Sequence, residues 1–243
     1  MPPEVSIITA TYNSRETVEA CLHSVARQNH IGLEHIVVDG GSTDGTTDRL
    51  RQWNDERLRW TSEPDRGIYD ALNKGIDRAR GEWLYFLGAD DTLEPDVLAA
   101  IRTNLKQPFV MLYGDVLFSN NHRMRSFLGP RTLLQNTVQH QSAFYHRSLF
   151  ENFRYDTSLR ILADYELNLR LYLSRQPTLY LNRLIARCAV GGASSQLSLS
   201  LRETNLVRSR YVRRFWQQMA FSGLLGLYYS QKRLRNWLYG HQV

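Results

Sequence analysis

Two adjacent carboxylates, Asp90 and Asp91, directly follow the hydrophobic run Trp83-Leu-Tyr-Phe-Leu87. Side by side they repel each other unless they are solvated, hydrogen-bonded or neutralised by a cation. A hard divalent ion is one neutraliser, and Mg²⁺ typically uses only one or two carboxylates together with substrate phosphates. The alternative is that the pair caps a helix beginning near Pro95. Asp39 offers a second chemistry. It ends the run His35-Ile-Val-Val-Asp39 and precedes Gly40-Gly41-Ser42, where an acceptor-only carboxylate can bond a base or a ribose, or can organise a turn. The glycine pair lacks the GxGxxG spacing, which lowers the case for an NAD-dependent enzyme.

These groups need a scaffold, and the hydrophobic periodicity supplies one. Val5 to Ala10 is a β-branched run, and the segment from Ser14 to Ala26 has helical spacing through Val18, Leu22 and Val25. A second strand over His35–Asp39 precedes a helix from about Thr46 to Trp53. Strands over Arg57–Ser62 and Trp83–Leu87 flank a helix carrying Ala71, Leu72, Gly75, Ile76 and Ala79. Alternation of this kind predicts an α/β domain with a largely parallel sheet, whose ligands bind outside the carboxyl ends of the strands. The polar clusters Thr9–Asn13, Asp39–Asp44 and Ala89–Asp91 all fall at such ends, so three loops are expected to share one rim.

Four blocks, taken together, resemble the family 2 glycosyltransferases: Ser6-Ile-Ile-Thr-Ala-Thr-Tyr-Asn13, Val37-Val-Asp-Gly-Gly-Ser-Thr-Asp-Gly45, Glu63-Pro-Asp-Arg-Gly-Ile-Tyr-Asp-Ala-Leu-Asn-Lys-Gly75 and Phe86-Leu-Gly-Ala-Asp-Asp91. The likeness recurs at His140-Gln141 and Ala163-Asp164-Tyr165-Glu166. It implies a GT-A fold, an inverting mechanism, a UDP-sugar or similar donor, and a divalent metal, Mn²⁺ or Mg²⁺. It also implies that Thr9, Thr11 and Tyr12 line the nucleobase pocket and that Asp39 bonds the base. Asp65 and Asp70 would border the nucleotide and donor sugar, with Arg66 available to phosphate; Asp70 and Asn73 can equally be ordinary helix-start residues. Asp90 and Asp91 match the family's DXD-type motif, with Asp91 the better candidate for the metal. The chain departs from strict Asp-X-Asp, because Gly88-Ala89 stands where the first aspartate would be. His140 and Gln141 are placed near the acceptor, where both can bond sugar hydroxyls. The general base is placed at Asp164, at the start of a helix that Leu167 and Leu171 can anchor, with Glu166 as its substitute. An inverting transfer needs such a base on the acceptor side.

The composition bounds this reading. The chain has 243 residues, enough for one sizeable core with appended helices, and its 42% hydrophobic and 22% charged content is that of a folded, mostly soluble protein. Two cysteines, Cys21 and Cys188, outside any CxxC pair, argue against a disulfide framework, and Met1-Pro-Pro-Glu4 shows no secretory pattern. A cytoplasmic enzyme at the inner face of the membrane is expected. The formal charge of +6 is uneven: no acid follows Glu203, whereas Arg208, Arg210, Arg213, Arg214, Lys232, Arg233 and Arg235 do. Val207, Tyr211, Phe215 and Met219 recur at four-residue spacing among them. That pattern reads as a basic amphipathic helix, either lying on an anionic membrane surface or packed on the domain with its arginines solvated. The run Met219–Tyr229 is too short to span a bilayer, which needs roughly 20 residues. Nucleic acid is not an expected partner.

The expected organisation is a nucleotide-sugar-binding half over residues 1–115, an acceptor-binding half over 116–203 and a helical tail over 204–243. The expected function is metal-dependent transfer of a sugar from a nucleotide-sugar donor to a hydroxyl of a glycan acceptor, lipid-linked, in polysaccharide assembly. The alternative is a non-catalytic nucleotide-sugar-binding or scaffold protein of the same fold, against which the presence of Asp39, Asp91 and Asp164 together counts.

Overall fold

The structure is a computed structural model that describes residues 2–29, 32–190, 197–212 and 214–239. Strand β1 (Val5–Thr11) leads to helix α1 (Val18–Ala26), β2 (Leu33–Asp39) to α2 (Thr46–Gln52), and β3 (Leu58–Ser62) to α3 (Ile68–Arg78). Then come β4 (Trp83–Gly88), β5 (Thr92–Leu93), α4 (Val97–Ile101), β6 (Met111–Phe118), β7 (Arg123–Met124) and β8 (Ala143–His146). Helix α5 (Ala163–Ser174), β9 (Thr178–Cys188), α6 (Leu197–Tyr211) and α7 (Phe215–Tyr239) complete the chain. The expected strands and helices of the first half are all present, with boundaries moved by a few residues. The pair Asp90-Asp91 caps no helix: α4 starts six residues later and its N-cap is Asp96.

The strands form one sheet in the order β3-β2-β1-β4-β8-β6-β9-β5, with β7 paired to β6. The first four are mutually parallel, as the alternation predicted. β8 then runs antiparallel to β4 and β6, and β9 returns parallel to β6. Period-2 alternation sorts the side chains between two layers. Ile8, Ile36, Leu84 and Phe86 pack with Leu72 and Ile76 of α3 and Leu167 and Leu171 of α5. Val5, Ile7, Trp83, Tyr85 and Leu87 pack on the other face with Cys21 and Val25 of α1 and Val97, Leu98 and Ile101 of α4. β1, β2 and β4 are buried on both faces; β4 reads as a continuous apolar run, while Ser6 and Thr9 interrupt β1 and Glu34 and His35 interrupt β2.

The last two helices are part of this body. Glu203 of α6 is buried and accepts hydrogen bonds from the backbone N–H groups of Arg160 (2.8 Å), Ile161 (3.0 Å) and Leu162 (3.0 Å), just ahead of α5. The expected boundary at 203/204 therefore falls inside α6. The four-residue spacing from Val207 to Met219 crosses the break between α6 and α7 and is not one helical face. Val207 is in the core, whereas Met219 is exposed on α7. No described helix is long and apolar enough to cross a membrane.

Candidate active site

The carboxyl ends of β1 and β2 are laced into one rim. The Asn13 N–H donates to Ser42 Oγ (2.7 Å), the Thr43 N–H to Asn13 Oδ1 (3.0 Å), the Ser14 N–H to Thr46 Oγ1 (2.8 Å) and the Arg15 N–H to Asp44 Oδ2 (3.0 Å). Asp39 sits beneath, fully buried; its Oδ2 accepts from the Gly41 and Ser42 N–H groups (3.1 and 2.9 Å) and from Ser62 Oγ (2.6 Å), and its Oδ1 from Ser42 Oγ. Asp65 closes over the glycines. A Cβ at Gly40 would lie 2.5 Å from its carboxylate, so a larger residue there would have to push the Asp65 side chain aside.

Of the residues expected around the nucleobase, Thr9 is turned away from the rim: its hydroxyl lies 3.0 Å from His35 Nε2 and 3.8 Å from Cys21 Sγ, between the sheet and α1. Alternation along β1 requires this, since Thr9 shares a face with Ile7. Thr11 Oγ1 is buried with no hydrogen-bond partner among the described residues. Tyr12 is 62% exposed on the same loop. Arg66 pairs with Asp70 (3.2 Å), which also accepts from the Arg66 N–H (3.1 Å). Asn73 is not at the helix start but inside α3, bonding both the carbonyl (2.8 Å) and the N–H (2.9 Å) of Tyr155.

The aspartate pair is folded over a glycine. A Cβ at Gly88 would lie 2.6 Å from Asp91 Oδ2 and 2.9 Å from Asp90 Oδ1. Both carboxylates thus converge on the space that a side chain at position 88 would fill. Asp90 is exposed. Asp91 is only 3% exposed and accepts from Gln141 Nε2 (2.8 Å) and the Ala189 N–H (3.0 Å). Burial, and then the neighbouring charge of Asp90, push its carboxyl above the usual carboxylate range. Each Asp91 oxygen retains a lone pair after these bonds. Among the described residues no group of three or more His, Cys, Asp or Glu side chains forms a ready metal cage. Two converging carboxylates beside an open cleft fit a hard cation whose remaining ligands are donor phosphate and water.

A cleft of about 720 Å³ opens from this pair. Asp90 and Gly88, with Ile68, also line a smaller depression of about 360 Å³ bounded by Asn13, Ser14 and Asp44 on the rim side. Asp90 therefore stands where the two meet. In the large cleft, His140 and Gln141 occupy a single 3-10 turn (His140–Ser142) entering β8. Gln141 reaches Asp91, and its carbonyl accepts from Tyr85 Oη (2.7 Å). His140 Nδ1 lies 3.5 Å from Asp164 Oδ2. Asp164, 3% exposed in the first turn of α5, also accepts from Asn136 Nδ2 (3.0 Å), Tyr69 Oη (3.3 Å) and the Tyr165 N–H (2.9 Å). Burial and the Asp164 charge push the Tyr69 phenol well above its ordinary value, so it stays a donor.

Of the expected residues, the large cleft thus brings together Asp90, Asp91, His140, Gln141 and Asp164. Glu166 is not among its lining residues. Its two oxygens accept from Tyr211 Oη (2.7 Å) and Arg210 (2.8 Å) of α6, one helical face away from Asp164. Tyr69 and Asn136 were missed by sequence reasoning. Tyr69 lies inside one of the four resembling blocks and could have been noticed there, whereas nothing local marks Asn136.

Residues 6–162 match the sequence family described as Glycosyl transferase family 2. The PGL/p-HBAD biosynthesis glycosyltransferase of Mycobacterium tuberculosis is 41% identical over 179 residues, covering 70% of each chain. Among solved structures, S. aureus TarS 1-349 in complex with UDP-GlcNAc superposes with a TM-score of 0.73 at 16% identity, over 99% of this chain and 76% of that one. The mannosyltransferase PcManGT from Pyrobaculum calidifontis, in complex with GDP-Man and Mn²⁺, gives 0.66 at 23% identity, over 88% and 65%. These likenesses show the GT-A fold. With its family match covering more than half its length, the chain belongs to glycosyl transferase family 2 and is a glycosyltransferase.

Proposed function

We propose that the protein moves a sugar, with inversion, from a nucleotide-sugar donor of the UDP-sugar type to a hydroxyl of a glycan acceptor in polysaccharide or glycolipid assembly. The observation that carries this reading is the His140–Ser142 turn, whose adjacent side chains reach the donor-side carboxylate Asp91 and the acceptor-side carboxylate Asp164. Donor chemistry and proton removal are thereby fixed relative to each other by one rigid piece of backbone. The relatives support the donor class: one structural neighbour binds UDP-GlcNAc and another GDP-Man with Mn²⁺.

In this reading the nucleotide lies along the rim after β1 and β2. The Thr11 hydroxyl, unpartnered among the described residues, and the exposed Tyr12 ring are available to its base, while Asp39 holds the loop. Asp90 and Asp91 would hold a divalent cation, Mn²⁺ or Mg²⁺, which when bound supplies charge neutralisation to the departing diphosphate. Asp164 accepts the proton of the acceptor hydroxyl as that oxygen bonds the anomeric carbon from the face opposite the nucleotide. The bond from that carbon to the phosphate oxygen breaks, and the nucleotide leaves with the electron pair. Tyr69 and Asn136 hold the carboxylate in position for this step. A second reading exchanges two roles: His140, more exposed than Asp164 and 3.5 Å from it, takes the proton while Asp164 orients the ring.

Replacing Asp164 by Asn should leave stabilisation by UDP and Mn²⁺ intact and slow transfer by about 10²-fold or more. Transfer at near wild-type rate would move the base elsewhere, and an equal loss in His140→Gln with retained binding would favour the second reading. Full activity in EDTA would remove the cation from the scheme. The exposed apolar side of α7 supports a further part of the reading, namely recruitment to a membrane that carries a lipid-linked acceptor.

A further inference from the structure

The wall of the cleft beyond Asp164 has a charge pattern that the transfer reaction alone does not require. Arg125, Arg131 and Arg160 all line it and all are exposed. None of them makes a salt bridge among the described residues, although nearby arginines do: Arg123 pairs with Asp115, Arg66 with Asp70, and Arg210 with Asp156 and Glu166. Among the described residues the only acids lining the cleft are Asp90, Asp91 and Asp164, each already assigned to the transfer.

Two of the three guanidinium groups are held by rings. Arg125 lies over Tyr180 (5.1 Å to the ring centre) and Arg131 over Tyr228 of α7 (5.0 Å). Stacking occupies the flat face of a guanidinium and leaves its N–H edge free for an oxyanion. The third, Arg160, sits on the segment whose backbone Glu203 fixes through three hydrogen bonds. Phe127, Tyr228 and Tyr229 line the same cleft, adding apolar surface to its lining. A single guanidinium fork saturates a carboxylate; three forks with aromatic support match the several oxygens of a phosphate better.

We propose that this wall is an acceptor subsite for a phosphate-bearing acceptor, read by Arg125, Arg131 and Arg160 and closed by Tyr228 of the C-terminal helix. The inference rests on the transferase reading and adds the chemical class of the acceptor to it. The phosphate can belong to a glycan or to a lipid carrier, and the two sources are separable.

The test uses the full chain saturated with UDP, so that the donor site is already filled, and compares binding of glucose with glucose 1-phosphate and of dodecyl glucoside with dodecyl phosphate, the lipids below their micellar concentrations. The phosphate member of at least one pair should bind about 10-fold or more tighter than its neutral partner. A larger ratio in the sugar pair assigns the phosphate to the glycan; a larger ratio in the lipid pair assigns it to a carrier. The double substitution Arg131→Gln with Arg160→Gln, checked for fold by circular dichroism, should bring the ratio near one. The double substitution Arg49→Gln with Arg51→Gln, which removes the same charge from α2, should not. Equal binding of phosphate and neutral members, or a ratio that survives the double substitution, would overturn the subsite while UDP binding stands. If UDP itself fails to stabilise the protein, the transferase reading fails first.

Discussion

At the scale of single residues, the site depends on how little room is left around Gly88. Both aspartates of the pair lean into the space a Cβ would occupy there, so Gly88→Ala is expected to displace them and lower donor-dependent activity far more than it lowers stability. Retained activity in that variant would show that the carboxylates can spread without cost. Asp91 supports a separate prediction. Its carboxyl titrates above the usual range because burial and Asp90 disfavour its charge. A carboxyl with a raised folded value contributes stability that is complete below its unfolded value and is lost as pH rises through the folded one. Without metal, therefore, the Asp91 contribution should fall as pH climbs from about 4 toward neutrality, against the opposite trend from His35, which burial pushes down to about 3, and Asp91→Asn should melt higher than the wild type at neutral pH in EDTA. The gain should vanish at pH values low enough to protonate Asp91 in both states. An Asp91→Asn melting temperature at or below wild type at pH 7 would show that the Gln141 and Ala189 bonds already compensate the charge. The pair itself was legible in the sequence because two carboxylates after an apolar strand are conspicuous. The reason for Gly88 was not, since a steric clash with residues two and three positions later depends on the turn.

At the scale of elements, β1, β2, β4 and α1 to α3 were legible because buried parallel strands carry largely apolar runs and the helices between them keep an apolar face. The second half was less so. β8 and β6 pair antiparallel across the sheet and β9 joins β6 through bulges, and neither pairing leaves a local signature. Nor does the 3-10 turn that carries His140 and Gln141. Asn73 shows the same limit. Its residue type is compatible with a helix start, yet it mimics a strand partner for Tyr155, fastening α3 to the segment that precedes α5. Asn73→Ala would leave the Tyr155 N–H and carbonyl without those partners at a partly buried site, costing about 1–3 kcal/mol in a denaturant titration. Because Tyr69 of α3 bonds Asp164 of α5, the same substitution is expected to slow transfer through a loosened Tyr69–Asp164 contact. A stability loss without any rate effect would separate the two helices functionally.

At the scale of the whole molecule, the C-terminal helices present two faces, one packed on the domain and one exposed. The basic tail read from the sequence is not a uniform solvated face. Arg208 is buried between α6 and α7, donating to Asn205, Gln218 (3.1 Å) and Ser222 (2.7 Å), with Phe221 against its guanidinium. Arg210 is committed to Asp156 and Glu166. Arg214 is exposed; Arg213 and the side chains of Lys232, Arg233 and Arg235 lie outside the described residues. Helix α7 turns Gln218, Phe221, Ser222 and Leu225 toward α6 or into the protein, leaving Trp216 (61%), Met219, Leu224 and Leu227 (63%) exposed. A row of large apolar side chains in a helix with no acidic residue matches an interfacial helix on an anionic bilayer, where each buried side chain adds apolar area and each nearby Lys or Arg about 1 kcal/mol. The informative substitutions are therefore not at Arg208 or Arg210, whose loss would damage the helix pair or its contact with α5. Replacing Trp216, Met219 and Leu227 together by Ser removes the outward row and leaves every bond of Arg208 in place. The triple variant should sediment with phosphatidylglycerol vesicles at least 10-fold less than the wild type at low salt, with an unchanged melting temperature. Equal sedimentation would transfer any membrane contact to another surface, and a wild type that ignores such vesicles would leave α7 as a wall of the cleft alone.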